Sequence, residues 1–310
     1  MFTEKEKVID SYIEKNRGFI TASKLKCFSK SPEEYFIKYV LETPYQTKKK
    51  KCLEIGTAVD DYISYGEKKF FEMYYIDEGL TIAGLKEALD SEGIIYNPKA
   101  KKDELEGELY GDRSLKKRLT ASEGEIVQNV IREFTRQPLM DAEGDYEKQK
   151  ELTATYKNLK LKGTLDRFMK FDKVDSEGFG GAIRDTKTTG DMLRFPFQAY
   201  NDFGYDVSMT FYYLLVNITE GIQSKLILDT IQTTGSFCSR VYDIPQEIIQ
   251  NVLDNKIMPK LDLLAQMHEI YDKDKDPSIW KVKGNFEDLA KSDIYHLLES
   301  TIQDKTEILQ

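Results

Sequence analysis

The spacing of apolar residues changes at about residue 146, and this change predicts two kinds of structure. Before it, apolar residues recur every three or four positions, as in amphipathic helices. Predicted helices of this kind lie at residues 3–16, 53–71 (restarting after Gly56) and 125–134. Thr21 or Ser23 can cap one further short helix, and Ser31, followed by Pro32, can cap another. Residues 77–125 have weak periodicity and are predicted to form an insertion of helical pieces and loops.

Alternating and β-branched residues predict strands in the second half of the chain. Predicted strands lie at residues 147–156, 160–171, 179–188, 225–232 and 237–242, with a hairpin turn at Lys157-Asn158. A long aromatic helix, Phe195–Val216, is broken near Gly204, and another runs from Pro245 to about Tyr271. Residues 286–309 are predicted to be mostly helical. This order predicts an α/β fold with a strand–strand–strand–helix–strand centre inside a helical shell.

Composition and charge narrow the class of protein. The chain has 310 residues, 40% of them hydrophobic, and a formal net charge of −9, so its overall field does not attract polyanions. Local patches and bound cations can still admit DNA. The three cysteines, Cys27, Cys52 and Cys238, are too few for a disulfide framework and short of the four thiolates of an iron–sulfur cluster. With no signal peptide and no apolar run of about 20 residues, we expect a soluble, cytoplasmic protein without a membrane span.

Three polar residues on predicted strands are the candidates for chemistry. Asp185 and Lys187 are two apart and should project from the same face of one strand, and Asp166 lies on the strand before. Two carboxylates from adjacent strands suit Mg²⁺, which can activate water and stabilise charge at a phosphate. Lys187 would position the water or stabilise the oxyanion. Glu151, on the preceding strand, could add a ligand or a base.

Spacing alone leaves a plainer interpretation open. An aspartate and a lysine two apart on a strand commonly form a surface ion pair, and Asp166 next to Arg167 is often just another. Likewise, Lys116 and Lys117 could contact DNA phosphates or be solvated surface.

Five segments, in order, resemble motifs of the RecB-like branch of the PD-(D/E)xK nuclease superfamily, which includes the exonuclease domains of phage recombination systems and of RecE-type proteins. They are ITASKL at 20–25 with SP at 31–32, GTAVD at 56–60, KGTLDR at 162–167, IRDTKT at 183–188 and YDVSMTFY at 205–212. The resemblance implies a restriction-endonuclease-like core, a mixed central sheet flanked by helices, with an additional helical N-terminal region. We expect residues 1–145 to be the helical part with the insertion, 146–245 the catalytic core, and 246–310 the C-terminal helices.

The resemblance also implies roles for individual residues. Asp166 and Asp185 take the metal-binding positions and Lys187 that of the catalytic lysine. Gly56 takes the position of a tight helix approach. The positions of Tyr212, Ser208 and Ser23 imply contact with DNA. Two residues depart from the family pattern: Asp60 stands where the family has a histidine ligand, and Ser208 where it has a glutamine. An aspartate still offers a hard oxygen, so Asp60 is a candidate third metal ligand.

These implications predict a Mg²⁺- or Mn²⁺-dependent deoxyribonuclease without an iron–sulfur cluster, more an exonuclease than an endonuclease. The expected setting is phage-type recombination or repair on linear duplex DNA, with a single-strand annealing protein as partner and possible homo-oligomers. One alternative is a catalytically weak scaffold that binds DNA or protein, which the departures at Asp60 and Ser208 favour. The other is a structure-specific endonuclease. The sequence leaves open the polarity of digestion, the preference for single- or double-stranded substrate, and whether the substrate is DNA or RNA.

Overall fold

The computed structural model describes residues 18–42, 51–111, 116–136 and 146–281; within these, the side chains of residues 51–53 are not described. The helices predicted at residues 3–16 and 286–309 lie outside these ranges. In the described part of the chain, no helix is both long and apolar enough to cross a membrane.

The first described elements follow the capping signals. Strand β1 (Phe19–Ile20) leads into helix α1 (Ala22–Lys30). Of the two predicted caps, Thr21 is the one used, since its side chain accepts from the Lys24 N–H. Helix α2 (Pro32–Tyr35) begins with proline in its first turn, is capped by Ser31, and continues into a π-helical turn, Phe36–Val40.

Helix α3 (Lys51–Met73) differs from the prediction in one respect. We expected a helix that restarts after Gly56, but α3 begins at Lys51 and continues through Gly56. The interruption comes instead at Gly66, whose φ of 82° kinks the helix. Glycine adopts this left-handed conformation without a Cβ clash. Gly56 has a different role, because its missing side chain lets the helix pack closely against Thr188.

The insertion contains more structure than its sequence indicates. Its elements are β2 (Tyr74–Asp77), α4 (Ile82–Ser91), α5 (Lys102–Tyr110), β3 (Lys117–Thr120) and the start of α6 (Ala121–Thr135). The two strands pair in parallel as a small separate sheet. Helices α4 and α5 enclose their own apolar cluster around Leu85, Leu89 and Leu105. The predicted helical pieces are present, but both strands were missed because four residues are too few to show alternation.

The central sheet has six described strands: β1 with β4 (Glu147–Tyr156), β5 (Leu159–Lys170), β6 (Gly181–Thr189), β7 (Ser224–Gln232) and β8 (Ser239–Ile244). Its order is β1-β5-β6-β7-β8, with β4 paired along β5. The pairs β1–β5 and β6–β7 are parallel and the others antiparallel, so the sheet is mixed. The predicted hairpin turn joins β4 to β5, with Lys157 at a φ of 52°.

Helices cover the sheet on both faces. The predicted aromatic helix is two helices, α7 (Phe195–Asn201) and α8 (Tyr205–Glu220), separated at Gly204 with a φ of 59°. The chain then forms α9 (Gln246–Val252), a π-helical turn (Leu253–Ile257), α10 (Met258–Asp274) and a 3₁₀ turn (Pro277–Trp280). Along β7, Leu226 and Leu228 enter the apolar cluster with α1, α8 and α10. Ile231 is an odd number of residues from these leucines, so its side chain lies on the other face of the sheet. There it packs in the apolar cluster with α3 and α6.

Candidate active site

Strands β5 and β6 separate at one point, and Asp166 and Asp185 lie there. Their last paired residues are Arg167 and Arg184, so the next position on each strand is one of the two aspartates. On the side of β5 that faces β6, the next pairing in the described sheet is with β1, at Lys160 and Leu161. In the described sheet, an opening therefore runs along residues 162–166 of β5, with both carboxylates at its inner end.

The two aspartates face each other closely enough to share charge. Burial raises the pKa of Asp166 well above its usual range, and the neighbouring charge of Asp185 raises it further. One Asp166 oxygen, Oδ2, accepts from the Thr186 backbone N–H at 3.3 Å. Asp185 is 5% exposed. Two carboxylates this close in a buried place repel each other, and a cation between them would relieve the repulsion.

Lys187 is held beside this pair as a cation. Its Nζ forms an ion pair with Asp185 and donates to the Thr186 carbonyl at 3.2 Å. Burial alone would lower the pKa of Lys187, but the charges of Asp185 and Asp166 outweigh burial and raise that pKa above its ordinary value. Lys187 is therefore protonated near neutral pH and acts as a charged donor rather than as a base. The pair exists as the plainer interpretation expected, but it is largely buried and not a surface contact.

Asp60 reaches the cluster from helix α3. A Cβ added to Gly56, one turn earlier, would lie 3.2 Å from Thr188 Oγ1, so glycine lets α3 approach β6. Burial raises the pKa of Asp60 to about 6; the charge of Lys187 opposes this shift and that of Asp185 adds to it. Asp61 lies elsewhere, since its Oδ2 accepts from the Tyr74 hydroxyl at 2.6 Å.

This donor set suits a hard divalent cation. Asp166, Asp185 and Asp60 offer carboxylate oxygens, which Mg²⁺ and Mn²⁺ prefer, and these ions commonly keep several waters. Within the described residues, no group of three or more acidic, histidine or cysteine side chains is gathered tightly enough to enclose an ion. The arrangement therefore fits an ion held by the opposed pair and completed by water, with Asp60 close by.

A cavity of about 320 Å³ opens beside Asp166 and contains three other predicted residues: Ser23, Glu151 and Tyr212. Glu151 pairs across the strands with Thr164, two residues before Asp166, and lines the same cavity; its carboxylate forms an ion pair with Lys162 at 3.2 Å. Tyr212 is positioned through Gly163, where an added Cβ would lie 3.1 Å from the Tyr212 ring and 2.6 Å from Leu215 Cδ1. The glycine of the KGTLDR segment thus lets α8 lie directly on β5.

Lys26 is a site residue that the sequence analysis missed. Its Nζ donates to Ser208 Oγ at 2.9 Å and to the Phe203 carbonyl at 3.2 Å. Burial lowers the pKa of Lys26, and the charge of Lys187 lowers it further, which places the two amines near each other. Lys26 thus brings a donor from another helix to Ser208, the position at which the resembled motif has a glutamine. Ser23, one turn earlier on α1, was the available signal.

Two further predicted contacts lie on the insertion. Lys116 donates to the Tyr110 carbonyl at 3.0 Å. Lys117 donates to the Tyr74 hydroxyl at 3.0 Å and lies 3.4 Å from Asp61. Lys117 is therefore beside the residue that follows Asp60, whereas Lys116 is bound within the insertion, and neither is gathered with the aspartates.

A buried ionic network fixes the two strands behind the site. Arg167 Nη2 donates to Asp229 Oδ2 at 2.6 Å and to Thr186 Oγ1 at 2.8 Å, and Arg184 Nε donates to the same Asp229 oxygen at 2.9 Å. Asp229 is 1% exposed. The sequence left open an ion pair between Asp166 and Arg167. In the structure the Arg167 guanidinium binds Asp229 on β7 instead.

A mixed sheet flanked by helices, with carboxylates and a lysine where two strands separate, defines the restriction-endonuclease-like class of α/β fold. The family described as "PDDEXK-like domain of unknown function (DUF3799)" matches residues 21–278, and the chain belongs to it. That membership supports a nuclease-type function.

A solved structure shares this fold. The crystal structure of a "putative exonuclease" from Eubacterium rectale is 17% identical over 81% of this chain and 82% of that one, with a TM-score of 0.53. At this identity the likeness shows the fold alone. The crystal structure of SSO0001 is 12% identical over 56% of this chain and 83% of that one, but its TM-score of 0.26 supports no inference. A search of the curated proteins finds no match.

Proposed function

We propose that this chain is a metal-dependent nuclease that hydrolyses DNA phosphodiesters at Asp166, Asp185 and Lys187. The observation that carries the proposal is the pair of opposed carboxylates, one buried (Asp185) and one partly buried (Asp166), at the point where β5 and β6 separate, with a protonated lysine beside them. Membership of a PDDEXK-like family supports the same reaction class.

Asp166 and Asp185, with Asp60 nearby, would hold Mg²⁺ or Mn²⁺, which supplies Lewis acidity and a more acidic bound water. Lys187, oriented by Asp185, would donate to a phosphate oxygen and offset the charge that develops there. Ser23 and Tyr212 would contact the substrate backbone in the cavity beside Asp166. Glu151, in the same cavity, would orient water. The Arg167–Asp229–Arg184 network would keep both strands in register.

We further propose exonuclease activity on linear duplex DNA in phage-type recombination or repair, with a single-strand annealing protein as partner. The RecB-like motifs support this, and the Eubacterium rectale protein of similar fold is described as a "putative exonuclease". The sequence motifs contain nothing that resembles a base-reading module, which favours an enzyme that acts at ends.

The test is digestion of linear duplex DNA and of covalently closed circles, with Mg²⁺ and with EDTA. We expect linear DNA alone to be degraded, only with metal, and Lys187→Ala to lose about 100- to 1,000-fold in rate, as when a charge-stabilising donor is removed. Lys225→Ala is the matched control, because Lys225 is a strand lysine that also binds two carboxylates, Asp175 and Glu177.

Each other outcome rejects a definite part of the proposal. Cutting of closed circles would replace the exonuclease by an endonuclease. Binding without metal-dependent degradation would favour the scaffold. Equal losses in Lys187→Ala and Lys225→Ala would contradict the role of Lys187.

A further inference from the structure

A second cavity, of about 290 Å³, lies at the C-terminal end of α1 and has no part in the chemistry proposed above. It is bounded by α1, by the junction of α7 with α8, and by the start of α10. Four lysines line it: Lys26, Lys30, Lys256 and Lys260.

Direct contacts connect this lysine-lined cavity to Lys187. The Lys187 Nζ lies 5.3 Å from the centre of the Tyr205 ring, and that ring lies 5.3 Å from the Phe203 ring. Lys26 donates to the Phe203 carbonyl, and both residues line the cavity. Helix α1 therefore borders both cavities, with Ser23 in the one beside Asp166 and Lys26 in this one.

The charge of the cavity is opposite to that of the chain. The four lysines face two aspartates, Asp202 and Asp206, although the whole chain carries −9. Asp206 is buried and binds Lys256 at 2.8 Å. Lys30 is exposed at the rim. Such a concentration of ammonium groups next to a phosphodiester site attracts the adjacent phosphates of the same strand.

Aromatic surface lies beside these lysines. Phe203 lines the cavity and is 44% exposed, and Phe197, on the helix before it, is 67% exposed. Lysines that follow a backbone, combined with aromatic rings on which bases stack, are the means by which proteins bind single strands. A cavity of this volume has room for an unpaired nucleotide and none for a duplex.

We propose that the lysine-lined cavity, with Phe203 at its mouth, binds an unpaired nucleotide next to the scissile phosphate, so that the strand being cut is held single-stranded there. This inference rests on the proposed nuclease function. It adds that the substrate strand is unpaired where it is cut.

The test measures binding without cleavage, by fluorescence anisotropy in EDTA. The probes are a labelled oligothymidylate of about 12 nucleotides and the same strand paired with oligoadenylate. The full-length wild type is compared with Phe203→Ala and Lys30→Ala. Phe71→Ala is the control for the ring, since Phe71 is 42% exposed and its centre also lies 5.3 Å from a neighbouring ring. Lys99→Ala is the control for the charge, at an exposed position in the insertion.

We expect the wild type to bind the single strand, and also the linear duplex, which is the proposed substrate. Phe203→Ala should weaken single-strand binding about tenfold, as for the loss of one stacked base, and Lys30→Ala severalfold, while both controls stay within about twofold of the wild type. Thermal melts should show all four variants folded, because each changed side chain is exposed.

Two results would overturn the inference: a Phe203→Ala effect no larger than that of Phe71→Ala, or a Lys30→Ala effect no larger than that of Lys99→Ala. Failure of the nuclease proposal is distinguishable. If the protein does not cleave DNA but shows this binding pattern, the nuclease proposal fails and the subsite stands. If the protein cleaves DNA but Phe203→Ala and Lys30→Ala bind normally, the subsite fails and the nuclease proposal stands.

Discussion

At the scale of single residues, the site is defined by charges that the fold leaves only partly balanced. Asp166, Asp185 and Asp60 share the cationic Lys187, and burial raises the pKa of both Asp166 and Asp60. A carboxylate whose pKa is higher in the folded state than in the unfolded state lowers the stability of the metal-free protein at neutral pH, where it is charged. Such a cost is usual where a site is built for a ligand.

Asp166→Asn should therefore stabilise the metal-free protein while abolishing cleavage. Because the folded-state pKa of Asp166 is raised, its favourable contribution is present below about pH 4 and is lost as pH rises through the folded value. In EDTA at pH 7 the variant should gain about 0.5–2 kcal/mol, or ~1–8 °C in Tm, and the gain should shrink near pH 4. Calorimetric melts check this, and a variant that melts below wild type at pH 7 would contradict it.

Asp60 allows a test of metal preference. Asp60→His introduces the histidine of the RecB-like motif that the sequence resembles. Since imidazole suits later transition metals better than it suits Mg²⁺, this variant should shift the ratio of Mn²⁺-supported to Mg²⁺-supported cleavage toward Mn²⁺. Asp61→His is the control, because Asp61 binds Tyr74 instead. Cleavage rates in each metal measure the ratio. An unchanged ratio in Asp60→His, or an equal shift in the control, would remove Asp60 from the metal site.

At the scale of elements, the sequence predicts well those segments that alternate or cap clearly. The strands that carry Asp166, Asp185 and Lys187 were placed within one or two residues of their ends. Leucines alternate along the first, and glycines lead into the β-branched residues of the second. The start of helix α2 after Ser31 was equally clear. The short strands β2 and β3 were not predictable, since their pairing depends on contacts distant in sequence.

Gly163 shows how an element contact depends on a missing side chain. Gly163→Ala would put a Cβ 2.6 Å from Leu215 Cδ1, so the buried Leu215 side chain or α8 itself must move, at a cost of about 1–3 kcal/mol. Gly107→Ala has open space inside helix α5 and should be neutral or stabilising by about 0.4–1 kcal/mol. Urea unfolding of both variants measures the difference. Equal stabilities for the two would show that α8 does not pack on β5 as described.

At the scale of the whole molecule, side chains from elements far apart in sequence meet at one opening in the sheet. Asp60 comes from α3, Lys26 from α1 and Tyr205 from α8, and each reaches the surroundings of Lys187. The motif resemblance indicated Asp60, because its position matches a known ligand. Lys26 escaped notice, because only its position one turn after Ser23 separates it from Lys24 and Lys30 on the same short helix. The net charge of −9 likewise hid the local cluster of lysines.

The most direct test of the central claim is anomalous diffraction from crystals of the protein soaked in Mn²⁺. We predict a single strong peak between the carboxylates of Asp166 and Asp185, on the order of 2 Å from an oxygen of each, and its loss in Asp166→Asn crystals. A peak bound elsewhere, or aspartates turned to opposite faces of the sheet while the protein still cuts DNA, would contradict the account.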